Sequence, residues 1–199
     1  MTVESPRTYP DTRRVDGRDV TLRPMTAEDR PAVLEFARKL PEHDLLFMRR
    51  DITQAAAVDE WIHEIAAGEV LTILALEGAA VLGWATIHRN HLRWTAHVAE
   101  LRVMVAEGAR GLGLGRILTQ EAFANAVGLG IEKMVAQMTL DQKSAVAVFE
   151  GLGFKPEALL RDQVKDRAGK KHDLLVLSHD VSKFGSQRAT FGMDQAFGF

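Results

Sequence analysis

Residues 103–116 read Val-Met-Val-Ala-Glu-Gly-Ala-Arg-Gly-Leu-Gly-Leu-Gly-Arg, an apolar β-rich run that feeds a loop with glycine at every second position. Beyond it Leu114, Ile117, Leu118 and Ala122 fall on one helical stripe, so the loop opens a helix. Glycines let a backbone approach a ligand closely, and the free N–H groups of a helix start attract a phosphate or pyrophosphate. The P-loop is excluded because no lysine follows. The dinucleotide fingerprint is excluded because Gly111, Gly113 and Gly115 are spaced by two.

The rest of the chain narrows the chemistry. Its 199 residues suit one domain with tails, and 46% hydrophobic with 26% charged residues describe a globular chain able to bury a core. A net charge of −2 leaves no positive excess for a run of phosphates, which argues against a nucleic-acid partner. The absence of cysteine removes disulfides, Cys-based zinc and a Cys nucleophile. Neither a signal peptide nor a membrane-spanning run is evident, so a cytoplasmic protein without membrane contact is the expectation.

Working outward, residues 1–18 read as a poorly ordered leader with Pro6, Pro10 and alternating charges, and a domain is expected over 19–180. It opens on an alternating strand, Asp19 to Arg23. A helix follows up to Pro41, then a polar loop to Asp51. A second helix carries Val58, Trp61, Ile62 and Ile65 at i, i+3, i+4 and i+7. Val70 to Leu76 and Ala80 to His88 form a hairpin, and His97 to Val105 another strand. After the glycine loop and its helix come a strand (Met134 to Thr139), a short helix (Ser144 to Leu152) and a final strand pair joined by a charged turn. The order is β-α-α-β-β-β-α-β-α-β-β, an α/β (α+β) fold with about seven strands and about four helices. The tail 181–199 carries Phe184, Phe191, Phe197 and Phe199; it either docks on its own domain, docks on a second subunit in a homodimer, or frays.

Four segments in order resemble the GNAT superfamily of acyl-CoA-dependent N-acetyltransferases over about residues 19–180. These are Leu22-Arg-Pro-Met-Thr-Ala-Glu-Asp29; Ala99-Glu-Leu-Arg-Val-Met-Val105; Arg110 to Gly115, matching [Q/R]-x-x-G-x-[G/A]; and Ala145 to Phe154, similar to A-x-x-x-Y-x-x-x-G-F. The resemblance implies a mixed, twisted sheet whose fourth and fifth strands splay apart around acetyl-CoA, the cosubstrate. It assigns cofactor contacts to Val103, Met104 and Val105, and to the amides of Arg110, Gly111, Leu112, Gly113, Leu114, Gly115 and Arg116. Gln142 stands where an Asn is common, and Phe149 where relatives carry the tyrosine that protonates the departing thiolate.

The implied activity is acetyl transfer to a primary amine of a small polar molecule or a protein, by direct attack in a ternary complex. The alternative is a non-catalytic acyl-CoA-binding sensor or interaction module, suggested by Phe149 and the aromatic tail. Alternation puts Val98, Glu100, Arg102 and Met104 on one strand face. Glu100 is the candidate general base, and pairing with Arg102 or another cation, or binding substrate, are its other readings. The single tyrosine, Tyr9, lies in the leader; water or Ser144 could protonate the thiolate instead. His88 and His91, with His97 nearby, lack the partners of a metal site, so no metal is expected and surface or capping roles are read for them. The acceptor pocket is expected from Pro41 to Asp51 and Arg161 to His172, whose basic run Arg161, Lys165, Arg167, Lys170 and Lys171 is interrupted by aspartates.

Overall fold

The computed structural model describes residues 7–45, 48–90, 92–166 and 168–181; His91, Arg167 and the tail 182–199 lie outside them. Among these residues one mixed sheet of eight strands runs in the order β1-β2-β3-β4-β5-β6-β8-β7. Its strands are β1 (Asp11–Val15), β2 (Arg18–Pro24), β3 (Val70–Glu77), β4 (Ala80–Arg89), β5 (Val98–Val105), β6 (Lys133–Thr139), β7 (Lys155–Lys165) and β8 (Lys171–Asp180). Helices α1 (Arg30–Lys39), α2 (Glu42–Leu45) and α3 (Ala55–Ala66) cover one face; α4 (Leu114–Gly128) and α5 (Lys143–Gly151) belong to the core of the other.

Alternation along the central strands separates two cores. On the α1/α3 side, fully buried Trp84 meets Phe36 at 4.7 Å and Trp61 edge-on at 5.2 Å between ring centres. Trp61 Nε1 donates to Thr72 Oγ1 at 3.1 Å, and that hydroxyl is 3.1 Å from Thr86 Oγ1, whereas the buried Trp84 Nε1 has no hydrogen-bond partner. On the α4 side, Leu101, Leu118, Ala122 and Phe123 pack with Met134, Phe149 and Phe154. Burial of the aliphatic and aromatic side chains of these two cores is the main favourable term in the fold.

Two expectations are corrected. The leader is not poorly ordered over residues 11–18, which form β1 and its turn into β2. Asp16 and Gly17 both have positive φ (49° and 78°), the geometry an Asp-Gly hairpin turn supplies, so the strand doubles back onto β2. What anchors it is a buried carboxylate on α4. Glu121 accepts from Arg7 Nε (2.9 Å), Tyr9 Oη (2.8 Å) and Arg13 Nη2 (2.7 Å), while Asn125 Nδ2 donates to Tyr9 Oη at 2.8 Å. A charge this deep is tolerated only when such donors surround it. The second correction is the short α2 inside the polar loop after α1; with five helices and eight strands among the described residues, the mixed α/β fold is as expected.

Tyr9→Phe removes one donor to a buried carboxylate and one acceptor for Asn125, so it lowers unfolding stability by about 1–2 kcal/mol, read as a lower urea midpoint with the same slope. An unchanged midpoint would show that the Tyr9 contacts with Glu121 and Asn125 do not stabilise the fold.

Candidate active site

The sheet opens at one place. Parallel strands β5 and β6 pair only through Val98–Lys133, Ala99–Met134 and Glu100–Val135. Past Glu100, β5 stays with β4 and β6 stays with β8, so the two diverge into a cleft. The edge that β5 shows to this cleft follows from alternation. The Met104 carbonyl lies against Gly83 of β4, so closely that a Cβ at Gly83 would collide with it, and the Ala106 amide donates to Leu82 O at 2.8 Å. The backbone groups of Val103 and Val105 therefore point the opposite way, into the cleft. Met104 does not; its backbone faces β4 and its side chain packs beside the Trp84 cluster.

The glycine loop lies at the wide end of the cleft. Gly111 and Gly113 hold φ of +77° and +84°, conformations that L side chains adopt only with strain, and added Cβ atoms there would meet nothing within 4 Å. Gly113 is the N-cap of α4, which leaves the first-turn amides of Leu114, Gly115 and Arg116 without intrahelical acceptors. The loop thus presents open space, unpaired N–H groups and the positive end of a 15-residue helix.

Helix α2 spans the two rims. Asp44 pairs with Arg110 of the glycine loop, whose Nε also donates to Val105 O at 3.2 Å. His43 Nε2 lies 3.0 Å from Asp141 Oδ2, in the loop after β6. Gln142, next to it, turns its side-chain oxygen back to the Thr139 amide at 3.4 Å. Phe149 points away from the cleft mouth into the core, 6% exposed and edge-on to Phe154 at 4.9 Å.

The description Acetyltransferase (GNAT) family matches residues 34–154, more than half of the chain. The chain belongs to the GNAT acetyltransferase family. It is 28% identical over 124 residues to "Putative phosphinothricin acetyltransferase YwnH" of Bacillus subtilis (strain 168), covering 62% of this chain and 76% of that one. The phosphinothricin acetyltransferase of Sinorhizobium meliloti, solved with acetyl-CoA, superposes with a TM-score of 0.68 at 21% identity over 81% of this chain and 88% of that chain. The spermidine N-acetyltransferase of Vibrio cholerae, solved with CoA and spermine, superposes at 0.70 with 16% identity over 83% and 97%. Phosphinothricin and spermidine are thus named for similarly matching backbones, so the GNAT fold alone does not choose an acceptor.

Side chains on the α1/α3 face of this GNAT sheet form a second feature beside the cleft. Register places His88 opposite Glu100 and Thr86 opposite Arg102, with all four on that face. A small cavity above them is lined by Met48, Arg49, Arg50, Ile52, Trp61 and Glu64 from the other side. Arg102 Nη2 lies 2.6 Å from Glu100 Oε1 as a charge contact without hydrogen-bond alignment, and Arg49 Nε lies 3.7 Å from Oε2. Arg50 pairs with Glu64 and reaches Glu60 at 3.7 Å. Glu100 therefore does pair with Arg102, one of the readings open from the sequence, while remaining at the edge of the cleft.

His88 corrects the surface or capping role read for it. Burial first, then the positive charges of Arg49, Arg102 and Arg50, push its pKa down to about 3, so it is neutral at physiological pH. It could have been found by pairing the β4 and β5 runs in register, since Glu100 was already assigned a face. Among the described residues no group of three or more His, Asp or Glu could hold a metal ion, and no helix is long and apolar enough to cross a membrane.

Because an unfolded histidine takes up a proton near 6.5 and folded His88 only near 3, the unfolded state binds more protons between those values and stability falls as pH drops through that window. His88→Gln should flatten the fall in melting temperature between pH 7 and pH 4. Parallel curves for the two proteins would contradict a buried neutral His88.

Proposed function

We propose that the protein transfers the acetyl group of acetyl-CoA to a primary amine, with the pantetheine arm along the cleft edge of β5 and the pyrophosphate on the amides of residues 110–116. The observation that carries this reading is the early parting of β5 and β6 directly above a glycine loop that caps α4 with free amides. The relatives named as acetyltransferases, two of them solved with acetyl-CoA or CoA, support the same chemistry.

In the proposed reaction the acceptor enters as an ammonium ion, which has no lone pair for attack. Glu100, directly or through one water, takes one proton. The amine nitrogen then forms a C–N bond to the thioester carbonyl carbon, whose oxygen is met by a backbone N–H near Val105. The C–S bond breaks with its electron pair on sulfur, and the nitrogen sheds its second proton to solvent. The thiolate needs little help to leave, since thiols have pKa values of about 8.5, well below those of alcohols.

The position of Phe149 decides where the proton for that thiolate comes from. It has no hydroxyl and its ring belongs to the core; Tyr9 Oη is held by Glu121 and Asn125 on α4. We assign the role to water or to Ser144, which is exposed at the start of α5.

Glu100→Gln should lower kcat/KM for acetyl transfer by about 10²- to 10⁴-fold while leaving CoA affinity within a few-fold of the parent. Unchanged turnover across pH would remove Glu100 from the reaction. Binding of acetyl-CoA without CoA release from any amine would favour the non-catalytic sensor.

A further inference from the structure

Four side-chain atoms around Glu100 are buried and have no hydrogen-bond partner among the described residues: Glu100 Oε1, Arg102 Nε, Arg50 Nη1 and His88 Nδ1. Each such atom is costly, and four on one patch call for a common explanation. Arg50, His88 and Arg102 line one cavity of about 20 Å³. Glu100 stands at its margin, opposite His88 in the β4–β5 register and with Oε1 2.6 Å from Arg102 Nη2. A space of this size excludes an organic molecule and admits one water, which needs about 10–15 Å³ and two to four polar partners. The charges also suit a neutral guest. Arg49, Arg50 and Arg102 are balanced by Glu60, Glu64 and Glu100, and His88 is uncharged.

We propose that this cavity holds a single water that orients Glu100, and that His88, by accepting a hydrogen bond from that water, is a positioning residue for the general base. The water accepts from Arg102 Nε and Arg50 Nη1, and it donates one O–H to Glu100 Oε1 and the other to His88 Nδ1. Two donors and two acceptors match the two lone pairs and two hydrogens of water. The arrangement also fixes a tautomer: a neutral His88 that accepts at Nδ1 carries its proton on Nε2. An imidazolium could not accept at all. Burial and the three arginines, which hold His88 neutral, thus keep it in the accepting form.

The role at Glu100 rests on the acetyl-transfer reading above, in which this carboxylate takes the proton of the acceptor amine. An O–H donated to Oε1 favours the ionised carboxylate, the form a base needs, and leaves Oε2 for the substrate. The charged groups that face Glu100 are Arg102 on β5, Arg49 and Arg50 after α2, and, beyond them, Glu60 and Glu64 on α3. A substitution at His88 removes no charge from this set, so its effect on Glu100 comes through the water.

Two measurements test it. A crystal structure of the protein should show one ordered water within about 2.7–3.2 Å of these four atoms. The second is the pH profile of kcat/KM for CoA release from acetyl-CoA, with spermidine and the proteinogenic amino acids as the acceptor panel. His88→Leu, which offers no acceptor, should move the acid limb of that profile to higher pH by about one unit, because the carboxylate loses a donor. His88→Asn, which places an amide oxygen near the position of Nδ1, should bring the limb most of the way back. The rise in melting temperature with acetyl-CoA checks that each variant is folded; should His88→Leu not fold, the crystal structure decides. An empty cavity, an anion in it revealed by bromide soaking, a His88→Leu profile that superposes on the parent, or a His88→Asn profile displaced as far as that of His88→Leu would overturn the proposal. A parent that releases CoA to no amine would remove acetyl transfer and the role at Glu100 together, whereas an empty cavity would remove the water and leave acetyl transfer standing.

Discussion

Strands β5 and β6 share three residue pairs and then part, and the cleft with its exposed edge of β5 follows from that break. A parallel pair that continued would satisfy the cleft-side backbone groups of Val103 and Val105 with its neighbour. Instead each strand keeps its other partner, β4 or β8, so the cleft forms inside a sheet that is otherwise continuous. Gly83 is part of the cause. It lets the Met104 carbonyl press close to β4, which holds β5 to that side and fixes which of its backbone groups face outward.

Around this break the charged side chains act as fasteners. Arg110 ties the glycine loop to Asp44 of α2, and His43 ties the same helix to Asp141 across the cleft. The segment that follows α2 supplies Met48, Arg49, Arg50 and Ile52 to the cavity over Glu100. Cleft and cavity therefore share one short stretch of chain. A change in α2 would be felt at both.

Much of this was legible in residues close together in the sequence. Alternation assigned Glu100 and Arg102 one face, and the spacing of Gly111, Gly113 and Gly115 marked the loop. The structure supplies a sharper reason for two of these glycines, since Gly111 and Gly113 occupy positive φ. What was not legible depends on partners distant in the chain. His88 gains its meaning from its register against Glu100, and Phe149 from a core to which α4, α5, β6 and β8 contribute. Tyr9 is held by a carboxylate 112 residues away. The β1 hairpin was hidden differently: Asp16-Gly17 is a turn signal, but the charged residues beside it masked a strand whose Arg13 faces the buried Glu121 while Arg14 pairs with Asp19 at the surface. The aromatic tail falls outside the described residues.

Backbone amide exchange, measured with and without saturating acetyl-CoA, tests the central claim most directly. The account predicts slowed exchange at Val103 and Val105 and across residues 111–116, with β1 and β2 unaffected. Unchanged exchange at the glycine loop and along β5, under conditions where acetyl-CoA is shown to bind, would place the cosubstrate elsewhere and contradict it.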